Sequence, residues 1–376
     1  MKILITFPSA SLGGSERAML ETIYAIKKAS NIKVDVIIPK DGALIDELTK
    51  ICDKIYVFPF LWWMGSRKKT LFRRGKDLLS SVKVIYKWRK LILKNKYDTT
   101  ITSTLTFPQL ALASYFTPAK HCWYIHEFGK EDHGFIYHIN RKLYYALINH
   151  FSTRVIVNST IVFEKFKQFL LTEKMKMIYY SVDINPTLKI TKEYNTNSTF
   201  ILAVIGRKAR GKRQEDAIKA LHILQDKGIS TELLLVGSED PEYKKELLEL
   251  CEKLQLQNKV QFIAFTSDPF EYYHKADAVL VTSRLEAFGR VAIEAMKLEK
   301  PVIMSNSGSG SEIIKHQETG LLYEAGDEKD LADKIQCLYE DLETRKKIAQ
   351  NGYKWAYENC NIEKHGKEFL EILNSL

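Results

Sequence analysis

Two carboxylates in the second half of the sequence have the spacing of a ligand-binding pair. Glu286 and Glu294 stand with seven residues between them in the string SRLEAFGRVAIEAM. Ala287-Phe288-Gly289 has turn character and helical periodicity begins at Gly289, so we expect Glu286 on a loop and Glu294 on a helix. Carboxylates accept hydrogen bonds from sugar and ribose hydroxyls, and a helix N-terminus can hold phosphate. The alternative is an ordinary salt-bridged glutamate.

A strongly cationic loop precedes this pair. In the string VIGRKARGKRQ, Arg207 follows a strand directly and Lys212 stands five residues later, where a helix begins. A guanidinium fork and an ammonium beside a helix N-terminus could seat a diphosphate. A solvated basic loop is the alternative. We favour the anion seat because open parallel sheets bind ligands at the carboxyl ends of their strands.

The first half offers two weaker signals. The loop SLGGSE, residues 11–16, follows the first strand, and Gly13 and Gly14 would let the backbone approach an anion at the start of a helix. A tight turn with a capping serine is the alternative. His126 directly follows another strand, although most single histidines are structural or surface residues.

The elements that must position these residues are repeated strand and helix units. Short runs of Ile, Val and Leu alternate with helical stretches in both halves, which predicts an α/β protein of two doubly wound, Rossmann-like domains with parallel sheets. We predict an N-terminal domain at 1–180, a polar linker at 181–198 and a C-terminal domain at 199–360. Two such domains facing each other would leave a cleft between them.

Composition and missing motifs exclude other classes. With 376 residues and 45% hydrophobic residues, the chain is in the globular range. The five cysteines lack the short spacings of zinc or redox sites, and DxD, HExxH and Walker motifs are absent, so we predict no metal site. No run of about 18 apolar residues occurs, so we expect a cytoplasmic protein without a transmembrane helix.

Together the motifs resemble glycosyltransferase family four, which comprises retaining enzymes of the GT-B fold that use nucleotide sugars. The resemblance covers both halves, from GGSER and the His-Glu pair to Arg207, Lys212, the two spaced glutamates and the stretch from SGSGSE to TGLL. It implies that the segment 361–376 forms a helix that packs back onto the N-terminal, acceptor-binding domain. Two positions depart from the family pattern: Arg213 stands where many members have Gly, and Gly308-Ser309 replaces a Gly pair.

The resemblance also implies residue roles. Arg207 and Lys212 would contact the donor diphosphate, Glu294 the ribose and Glu286 the donor sugar. The implied catalytic residues are His126, Glu286, Arg207 and Lys212. The implied donor-binding residues are Gly14, Arg207, Lys212, Glu286, Phe288, Gly289, Arg290 and Glu294. We place Gly13 and Glu16 on the acceptor side.

The predicted activity is therefore transfer of a hexose-type sugar from a UDP- or GDP-type nucleotide sugar to a glycan or lipid-linked acceptor in bacterial-type cell-surface polysaccharide synthesis. The nucleotide sugar is a co-substrate, and we expect no cofactor and no metal. The resemblance implies same-face attack, in which the leaving diphosphate takes the acceptor proton, with Glu127 left open as a nucleophile. The rival functions are a sugar-nucleotide epimerase, a phosphorylase, or a binding subunit of a partner transferase.

Positive charge is concentrated in one segment. Residues 67–96 hold 12 of the 56 Lys and Arg residues and one of the 46 Asp and Glu residues, which leaves 44 basic and 45 acidic residues elsewhere. On a helical wheel, a stripe of lysines that includes Lys76 runs beside an apolar face of Leu78, Val82, Ile85, Ile92 and Leu93.

We predict contact with an anionic membrane, at the inner face of the plasma membrane, through Trp62, Trp63, Lys83, Lys87, Lys90 and Lys94. The alternative is a helix that packs its apolar face on the sheet and exposes its lysines to water. We expect no nucleic-acid partner, because no binding module is recognisable.

Overall fold

The computed structural model of the chain describes residues 1–65, 70–184 and 199–376, and these divide into two compact units. The first unit is Met1–Ser181 together with Asn361–Leu376, and the second is Val182–Cys360. Residues 185–198 of the predicted linker and residues 67–69 of the basic segment lie outside the described residues.

The first unit contains a seven-stranded parallel sheet with the order β3-β2-β1-β5-β6-β8-β9. Its strands are β1 (Lys2–Thr6), β2 (Lys33–Ile38), β3 (Lys54–Val57), β5 (Thr99–Thr102), β6 (Lys120–Ile125), β8 (Arg154–Val157) and β9 (Met175–Met177). The short β4 (Met64–Gly65) pairs antiparallel with β7 (Ile136–Tyr137). Its helices are α1 (Gly14–Ala29), α2 (Leu44–Ile51), α3 (Leu71–Asn95), α4 (Gln109–Tyr115), α5 (Lys130–His133), α6 (Arg141–Phe151), α7 (Thr160–Phe166) and, after the second unit, α15 (Ile362–Asn374).

The second unit contains a six-stranded parallel sheet with the order β12-β11-β10-β13-β14-β15. Its strands are β10 (Phe200–Ile205), β11 (Thr231–Val236), β12 (Val260–Ile263), β13 (Ala278–Val281), β14 (Val302–Ser305) and β15 (Leu321–Tyr323). Its helices are α8 (Gln214–Asp226), α9 (Pro241–Lys253), α10 (Phe270–Lys275), α11 (Arg290–Lys297), α12 (Gly310–Ile313), α13 (Glu328–Glu340) and α14 (Leu342–Asn359). The predicted alternation of strands and helices is thus confirmed in both units.

Both sheets reverse their direction of growth once. In the first unit the reversal lies between β1 and β5, and in the second it lies between β10 and β13. Most residues of the central strands are buried, as expected of parallel sheets covered by helices on both faces. At such a reversal two loops diverge from neighbouring strands, which leaves a crevice at the carboxyl edge of the sheet.

Polar side chains fix the start of many helices. Ser159 accepts a hydrogen bond from Val162 N at the start of α7, and Asn361 accepts one from Lys364 N at the start of α15. Such caps satisfy backbone donors that would otherwise lack a partner, and each stabilises a helix by about 1 kcal/mol. The cap at Asn361 begins α15 at the point where the chain returns to the first unit.

Helix α15 packs on α1 within the first unit, in line with the expectation for the C-terminal segment. Phe369 is fully buried, and Gly366 lies so close to α1 that a Cβ atom would stand 2.8 Å from the carbonyl oxygen of Ala25. The buried His365 ring lies 2.8 Å from Thr22 Oγ1 and 2.7 Å from the carbonyl oxygen of Tyr179. The close approach of the two helices therefore requires glycine at position 366.

A buried lysine joins the two ends of the second unit. Lys297 Nζ donates hydrogen bonds to the carbonyl oxygens of Val182, at 2.7 Å, and Cys360, at 2.9 Å. Val182 N also donates to the Cys360 carbonyl, at 3.1 Å. These are the first and last residues of the unit. The hydrogen bonds offset the cost of burying the ammonium and hold the two chain ends side by side.

Helix α3 buries only part of the apolar face that its periodicity predicts. Ile92 of that face is buried with Trp88 in a core cluster that includes Phe60, and Ile85 packs against the cluster. Leu78, Val82 and Leu93 of the same face are exposed. The predicted membrane contact of Trp63 is wrong, because this side chain is buried and its indole N–H donates to Ser81 Oγ at 3.0 Å. Among the described residues, no helix has the length and apolar character needed to cross a bilayer.

Candidate functional site

The predicted donor residues of the second unit lie on loops that are joined at the reversal of its sheet. The loop after β10 carries Arg207 and Lys212, and the loop after β13 carries Glu286. Thr282 Oγ1 donates to the carbonyl oxygen of Lys212 at 2.7 Å, and Arg284 N donates to that of Gly211 at 2.9 Å. The two loops are therefore fixed to each other by hydrogen bonds to the backbone carbonyl oxygens of the first loop.

Lys212 and Glu286 form an ion pair across these loops. The Lys212 ammonium donates to Glu286 Oε1, which also accepts from Ser283 Oγ at 2.5 Å. The Lys212 side chain is 40% exposed and that of Glu286 15% exposed. Because an ammonium has three donors, Lys212 can hold Glu286 and still donate to an anion. The pair thus combines an acceptor for hydroxyls with a cation for phosphate.

A third loop, after β14, is hydrogen-bonded to the backbone of the loop that carries Glu286. Ser309 N donates to the Glu286 carbonyl oxygen at 2.9 Å, and Ser305 Oγ donates to that of Ser283 at 2.7 Å. Gly308 has φ +59°, and a Cβ atom there would lie 2.3 Å from the Glu286 carbonyl oxygen. Ser309 has φ −76°, which any residue adopts. Only the first residue of the family's glycine pair is required here, which explains why serine is tolerated at the second.

Arg213 also occupies a position where glycine would be expected. Its φ of +50° lies in the left-handed region, which disfavours side chains. Its guanidinium donates to both carboxylate oxygens of the buried Asp216, each at 2.8 Å. This bidentate pair holds the loop conformation, and the pKa of the Arg213 guanidinium is raised, chiefly by that hydrogen bonding. Arg213, which stands where many family members have Gly, therefore stabilises the loop that carries Lys212.

Arg207 is an exposed cation of the same loop. Its carbonyl oxygen accepts from Gln214 Nε2 at 3.1 Å, which fixes the backbone at the end of β10. The neighbouring Lys208 points the other way and is fully buried. Lys208 Nζ donates to the carbonyl oxygens of Gly237, at 2.5 Å, and Ile263, at 2.8 Å, and burial lowers its pKa. Of two adjacent cations, only Arg207 is accessible to a ligand.

Glu294 lies on α11 and is held by two neighbours. Its Oε2 accepts from the Tyr273 hydroxyl at 2.6 Å, and its Oε1 accepts from Arg290 Nε at 2.8 Å. The helix begins after Gly289, whose φ of +79° is suited to glycine, and Phe288 is buried beside it. Arg290 and Glu294 are therefore brought together, with the carboxylate oriented by a phenol and a guanidinium.

In the first unit, Glu16 folds back over the start of α1. Its carboxylate accepts from Ser9 Oγ at 2.5 Å and Ser15 Oγ at 2.9 Å, and the residue is buried. A Cβ atom at Gly13 would stand 2.7 Å from Glu16 Oε2, whereas one at Gly14 would meet nothing within 4 Å. A carboxylate at this helix end repels a second anion. The Gly13-Gly14 loop is therefore better suited to sugar hydroxyls than to phosphate.

His126 lies directly after β6 and is buried, with both ring nitrogens engaged. Nε2 lies 3.1 Å from Ser103 Oγ and Nδ1 lies 2.5 Å from the Tyr180 hydroxyl. Burial, with a smaller contribution from His365, lowers the pKa of His126 to about 3. The ring is therefore neutral at physiological pH.

The adjacent Glu127 has a supporting position. Its Oε1 accepts from Thr104 Oγ1 at 2.7 Å and Leu105 N at 2.6 Å, and its Oε2 accepts from His126 N at 3.0 Å. Burial raises the pKa of this carboxyl. Both carboxylate oxygens accept hydrogen bonds from the loops after β5 and β6. Because both oxygens are engaged in this way, Glu127 is a poor candidate for a covalent nucleophile.

Several of these residues were missed from the sequence alone. Lys208, Tyr273, Ser103 and Tyr180 were not predicted to lie near a site, and neither was Asn158, whose Nδ2 donates to the Tyr180 hydroxyl oxygen at 2.8 Å. Ser103 and Asn158 carry a usable signal, because each is the first polar residue after a buried strand. The roles assigned to the predicted residues stay predictions. Within the described residues, no group of three or more His, Cys, Asp or Glu side chains is arranged to hold a metal ion.

The sequence matches known proteins over part of its length. Residues 188–355 match the family model of the glycosyl transferases of group 1. The capsular polysaccharide biosynthesis glycosyltransferase CapM of Staphylococcus aureus is 32% identical over 168 residues, which are 44% of this chain and 44% of that protein. The N-acetylgalactosamine-N,N'-diacetylbacillosaminyl-diphospho-undecaprenol 4-alpha-N-acetylgalactosaminyltransferase of Campylobacter jejuni is 30% identical over 176 residues, 46% of this chain and 47% of that protein. The chain thus spans about half the length of these curated relatives.

Solved structures match over the whole chain. The crystal structure of HepE from Anabaena in complex with UDP and glucose has a TM-score of 0.81 and 25% identity, and both chains are covered completely. The two Rossmann-like units with parallel sheets are those of the GT-B glycosyltransferases. Residues 188–355 of this chain therefore match the glycosyl transferases of group 1, and the chain has the GT-B fold.

Proposed function

We propose that this chain is a retaining glycosyltransferase of family four that moves a hexose-type sugar from a nucleotide-sugar donor to a glycan or lipid-linked acceptor in cell-surface polysaccharide synthesis. One observation carries the proposal: the accessible Lys212–Glu286 pair at the reversal of the second sheet, with the exposed Arg207 on the same loop. This combination offers both cations and hydroxyl acceptors at the edge where open α/β sheets bind ligands.

The donor would be held by chemically matched groups. Arg207 and Lys212 would bind the diphosphate, Glu286 the sugar hydroxyls and Glu294 the ribose hydroxyls. The backbone of 288–290 would lie near the sugar and phosphate, because α11 begins there. In the first unit we assign Gly14 to the donor, Gly13 and Glu16 to the acceptor side, and His126 to the reacting centre.

The chemical step balances without a protein nucleophile. The bond between the anomeric carbon and the diphosphate oxygen breaks, the acceptor oxygen attacks the same face, and the leaving diphosphate takes the acceptor proton. The positive charges of Arg207 and Lys212 would stabilise the diphosphate as its charge develops. We propose that this makes a metal ion and any other cofactor unnecessary. Chelation by EDTA should then leave the transfer rate unchanged.

The comparisons suggest where to look for substrates. HepE was solved with UDP and glucose, which makes UDP-sugars the first donors to test. The name of the Campylobacter jejuni relative specifies a diphospho-undecaprenol acceptor, and CapM acts in capsular polysaccharide biosynthesis. These names support a lipid-linked or glycan acceptor for this chain.

The exposed face of α3 supports a membrane location. We define the α3 surface as Phe72, Leu78, Leu79, Val82, Tyr86 and Leu93 with the exposed lysines Lys83, Lys87, Lys90 and Lys94. Leu79 is 70% exposed and Val82 57% exposed, which is unfavourable in water unless something covers them. Apolar side chains flanked by lysines fit the interface of an anionic bilayer. We therefore place the protein in the cytoplasm, peripherally on the inner face of the plasma membrane.

Trp62 is half-buried, and its indole N–H donates to the Pro8 carbonyl oxygen. At most the exposed edge of its ring would contribute to membrane contact.

A donor screen tests the activity. The wild-type protein is heated with UDP-, GDP- and ADP-sugars, and a bound donor should raise the melting temperature, since a ligand at 100 times its Kd adds about 2.7 kcal/mol. Transfer by Lys212→Ala and Glu294→Ala should fall on the order of 100-fold. Lys245→Ala, which removes an exposed lysine of the same unit, serves as the control. Normal turnover in both site variants would overturn the assignment.

A vesicle flotation assay tests the membrane location. Wild-type protein should float with phosphatidylglycerol vesicles at low salt and float less with phosphatidylcholine vesicles. Replacing Lys87 and Lys90 by Ala should weaken binding to the anionic vesicles only, by about 1 kcal/mol per lysine. Leu79→Ser with Val82→Ser should weaken binding to both, and Lys245→Ala should change neither. A wild-type protein that stays unbound to anionic vesicles at low salt would refute the location.

A further inference from the structure

Four polar side chains meet at the carboxyl edge of the first sheet. Ser103 follows β5, His126 follows β6, Asn158 follows β8 and Tyr180 lies three residues beyond β9. The strands β5, β6, β8 and β9 are neighbours in the sheet, so these residues stand in a row. All four are buried. Because buried polar groups are usually hydrogen-bonded, the short contacts among these side chains indicate which group donates and which accepts.

The Asn158 amide fixes the direction of the network. Asn158 Nδ2 lies 3.2 Å from the carbonyl oxygen of His126 and 2.8 Å from the Tyr180 hydroxyl oxygen. A carbonyl oxygen only accepts, so the NH₂ group of Asn158 must face it. The second hydrogen of that NH₂ group then points at Tyr180. The Tyr180 oxygen is therefore an acceptor towards Asn158.

The next step concerns the Tyr180 proton. The Tyr180 hydroxyl lies 2.5 Å from His126 Nδ1. With Asn158 donating to its oxygen, the hydroxyl can direct its own proton at Nδ1, which must then be the unprotonated nitrogen of a neutral ring. His126 would carry its proton on Nε2, where Ser103 Oγ lies 3.1 Å away as an acceptor.

We propose that Tyr180 and Asn158 are positioning residues that hold His126 as a neutral imidazole with its proton on Nε2. The proposal deepens the proposed function, on which the role of His126 rests. It makes His126 a fixed hydrogen-bond donor towards an oxygen atom at this sheet edge and removes it from consideration as a general base. Burial of the His126 ring lowers its pKa and so also favours the neutral form.

NMR spectroscopy of protein with ¹⁵N-labelled histidine tests the proton position directly. The His126 signals are identified by their loss in His126→Gln, since the chain has nine histidines. Wild-type protein should show a protonated Nε2 and an unprotonated Nδ1. Tyr180→Phe should give a mixture of both tautomers, because the donor to Nδ1 is gone. A wild-type ring protonated on Nδ1, or a Tyr180→Phe ring identical to wild type, would overturn the proposal.

A second variant reverses the network instead of removing it. In Asn158→Asp the side chain can only accept, so Tyr180 should donate to it and accept from His126. The His126 proton should then move to Nδ1, and a ring that keeps its proton on Nε2 would contradict the proposal. Tyr124→Phe is the matched control, because Tyr124 packs on His126 at a ring-centroid distance of 4.2 Å and its hydroxyl gives His126 no hydrogen bond. It should leave the His126 signals unchanged.

Kinetics separate this proposal from the proposed function. In Tyr180→Phe, kcat should fall about fivefold with a nearly unchanged donor KM, the loss expected for one hydrogen bond that orients a reacting group. Tyr124→Phe should keep the wild-type kcat, and an equal loss in both variants would count against a specific role of Tyr180. If wild-type protein transferred no sugar from any donor, the proposed function would fail, while the NMR spectra would still decide the proton position.

Discussion

Glu294 is held by two hydrogen bonds of different kinds, and this makes its proposed role testable. Tyr273 donates to one carboxylate oxygen and Arg290 to the other. In Tyr273→Phe the carboxylate should lose its orientation towards the ribose, so the donor KM should rise roughly tenfold while kcat stays close to that of wild type. The measurement is steady-state transfer at varied donor concentration.

The control for this prediction is the neighbouring tyrosine. Tyr272→Phe removes a hydroxyl from the same short helix, and that hydroxyl forms no hydrogen bond with any residue the structure describes. Its donor KM should equal that of wild type. If Tyr273→Phe also kept the wild-type KM, Glu294 would not need this partner for donor binding.

Three buried histidines make the first unit sensitive to acid. Burial lowers the pKa of His121 and His126 to about 3 and that of His365 to about 4. Because the unfolded chain binds these protons near pH 6.5 and the folded chain only well below, stability should fall as the pH drops from about 6.5 towards 4. Each histidine contributes up to about 1.4 kcal/mol per pH unit. Glu127, whose pKa burial raises, opposes this trend.

Urea denaturation at several pH values measures this dependence. His121→Gln should reduce the slope of unfolding free energy against pH between about 6 and 4 by roughly the contribution of one group. A wild-type stability that is constant over this range would show that the three rings are not kept neutral.

At the residue scale, motif and position together decide what can be predicted. Lys212 and Glu286 could be placed near each other from sequence, because each follows a strand and the carboxyl ends of parallel strands share one edge. Tyr273 could not, because its approach to Glu294 depends on how α10 lies against the sheet. Lys208 was indistinguishable from Arg207 in sequence, since the two differ only in which side of the strand end they face.

Among the elements, α15 offers an unusual glycine. Replacing a helical glycine by alanine normally stabilises a helix by up to about 1 kcal/mol. Gly366 should behave in the opposite way, because its new Cβ atom would stand 2.8 Å from the Ala25 carbonyl oxygen of α1. We expect Gly366→Ala to lower the unfolding free energy of the first unit by about 1–3 kcal/mol, measured by urea denaturation.

Gly75 in α3 is the matched control for Gly366. A Cβ atom there would meet nothing within 4 Å. Gly75→Ala should therefore stabilise the protein slightly, by about 0.5–1 kcal/mol. If the two variants changed stability in the same direction, the close packing of α15 on α1 would be wrong.

Helix α3 shows where sequence periodicity stops being informative. Its long run of helix-forming residues predicts a helix, but a helical wheel does not say how much of a broad apolar face is covered. The structure buries Ile92 of the predicted face, together with Trp88, against Phe60 and Phe107 and leaves Leu78 and Val82 of the same face exposed. Trp63 was misassigned for a related reason: its indole needs a hydrogen-bond partner, and Ser81 of the packed helix supplies it.

For the whole molecule, the alternation of strands and helices was predictable, but the order of strands within each sheet was not. Parallel strands with helical crossovers follow from buried apolar runs separated by amphipathic stretches. The reversal between β10 and β13 depends on which side of β10 the chain returns to. Several strand orders are compatible with the same alternation of strands and helices in the sequence. The site therefore rests on motif residues that sequence reveals and on a strand order that it does not.

Each unit has a hydrophobic core of its own, which leads to a prediction about fragments. The core cluster of the second unit extends from Phe200 to Ile348 and contains only residues of that unit. Residues 182–360 should therefore fold alone and unfold in one cooperative transition. Lys297→Met should lower the stability of this fragment by about 1–3 kcal/mol, since the Val182 carbonyl oxygen loses the ammonium as its donor and the Cys360 carbonyl oxygen loses one of its two donors.

Circular dichroism during urea denaturation measures both quantities for the fragment. Lys245→Met, at an exposed position of the same unit, is the control and should change stability little. A fragment without a cooperative transition would mean that the second unit needs the rest of the chain in order to fold.

The hydrogen bonds of Lys297 also bear on how this chain can change during evolution. With Val182 and Cys360 bonded to each other, the second unit is an insertion whose two ends leave from a single point of the host sequence. A domain with adjacent ends can be exchanged as a cassette or circularly permuted without stretching the chain that carries it. We therefore expect that residues 182–360, which contain the match to the family model, can be exchanged for those of a relative through two junctions, while the unit with the α3 surface is retained.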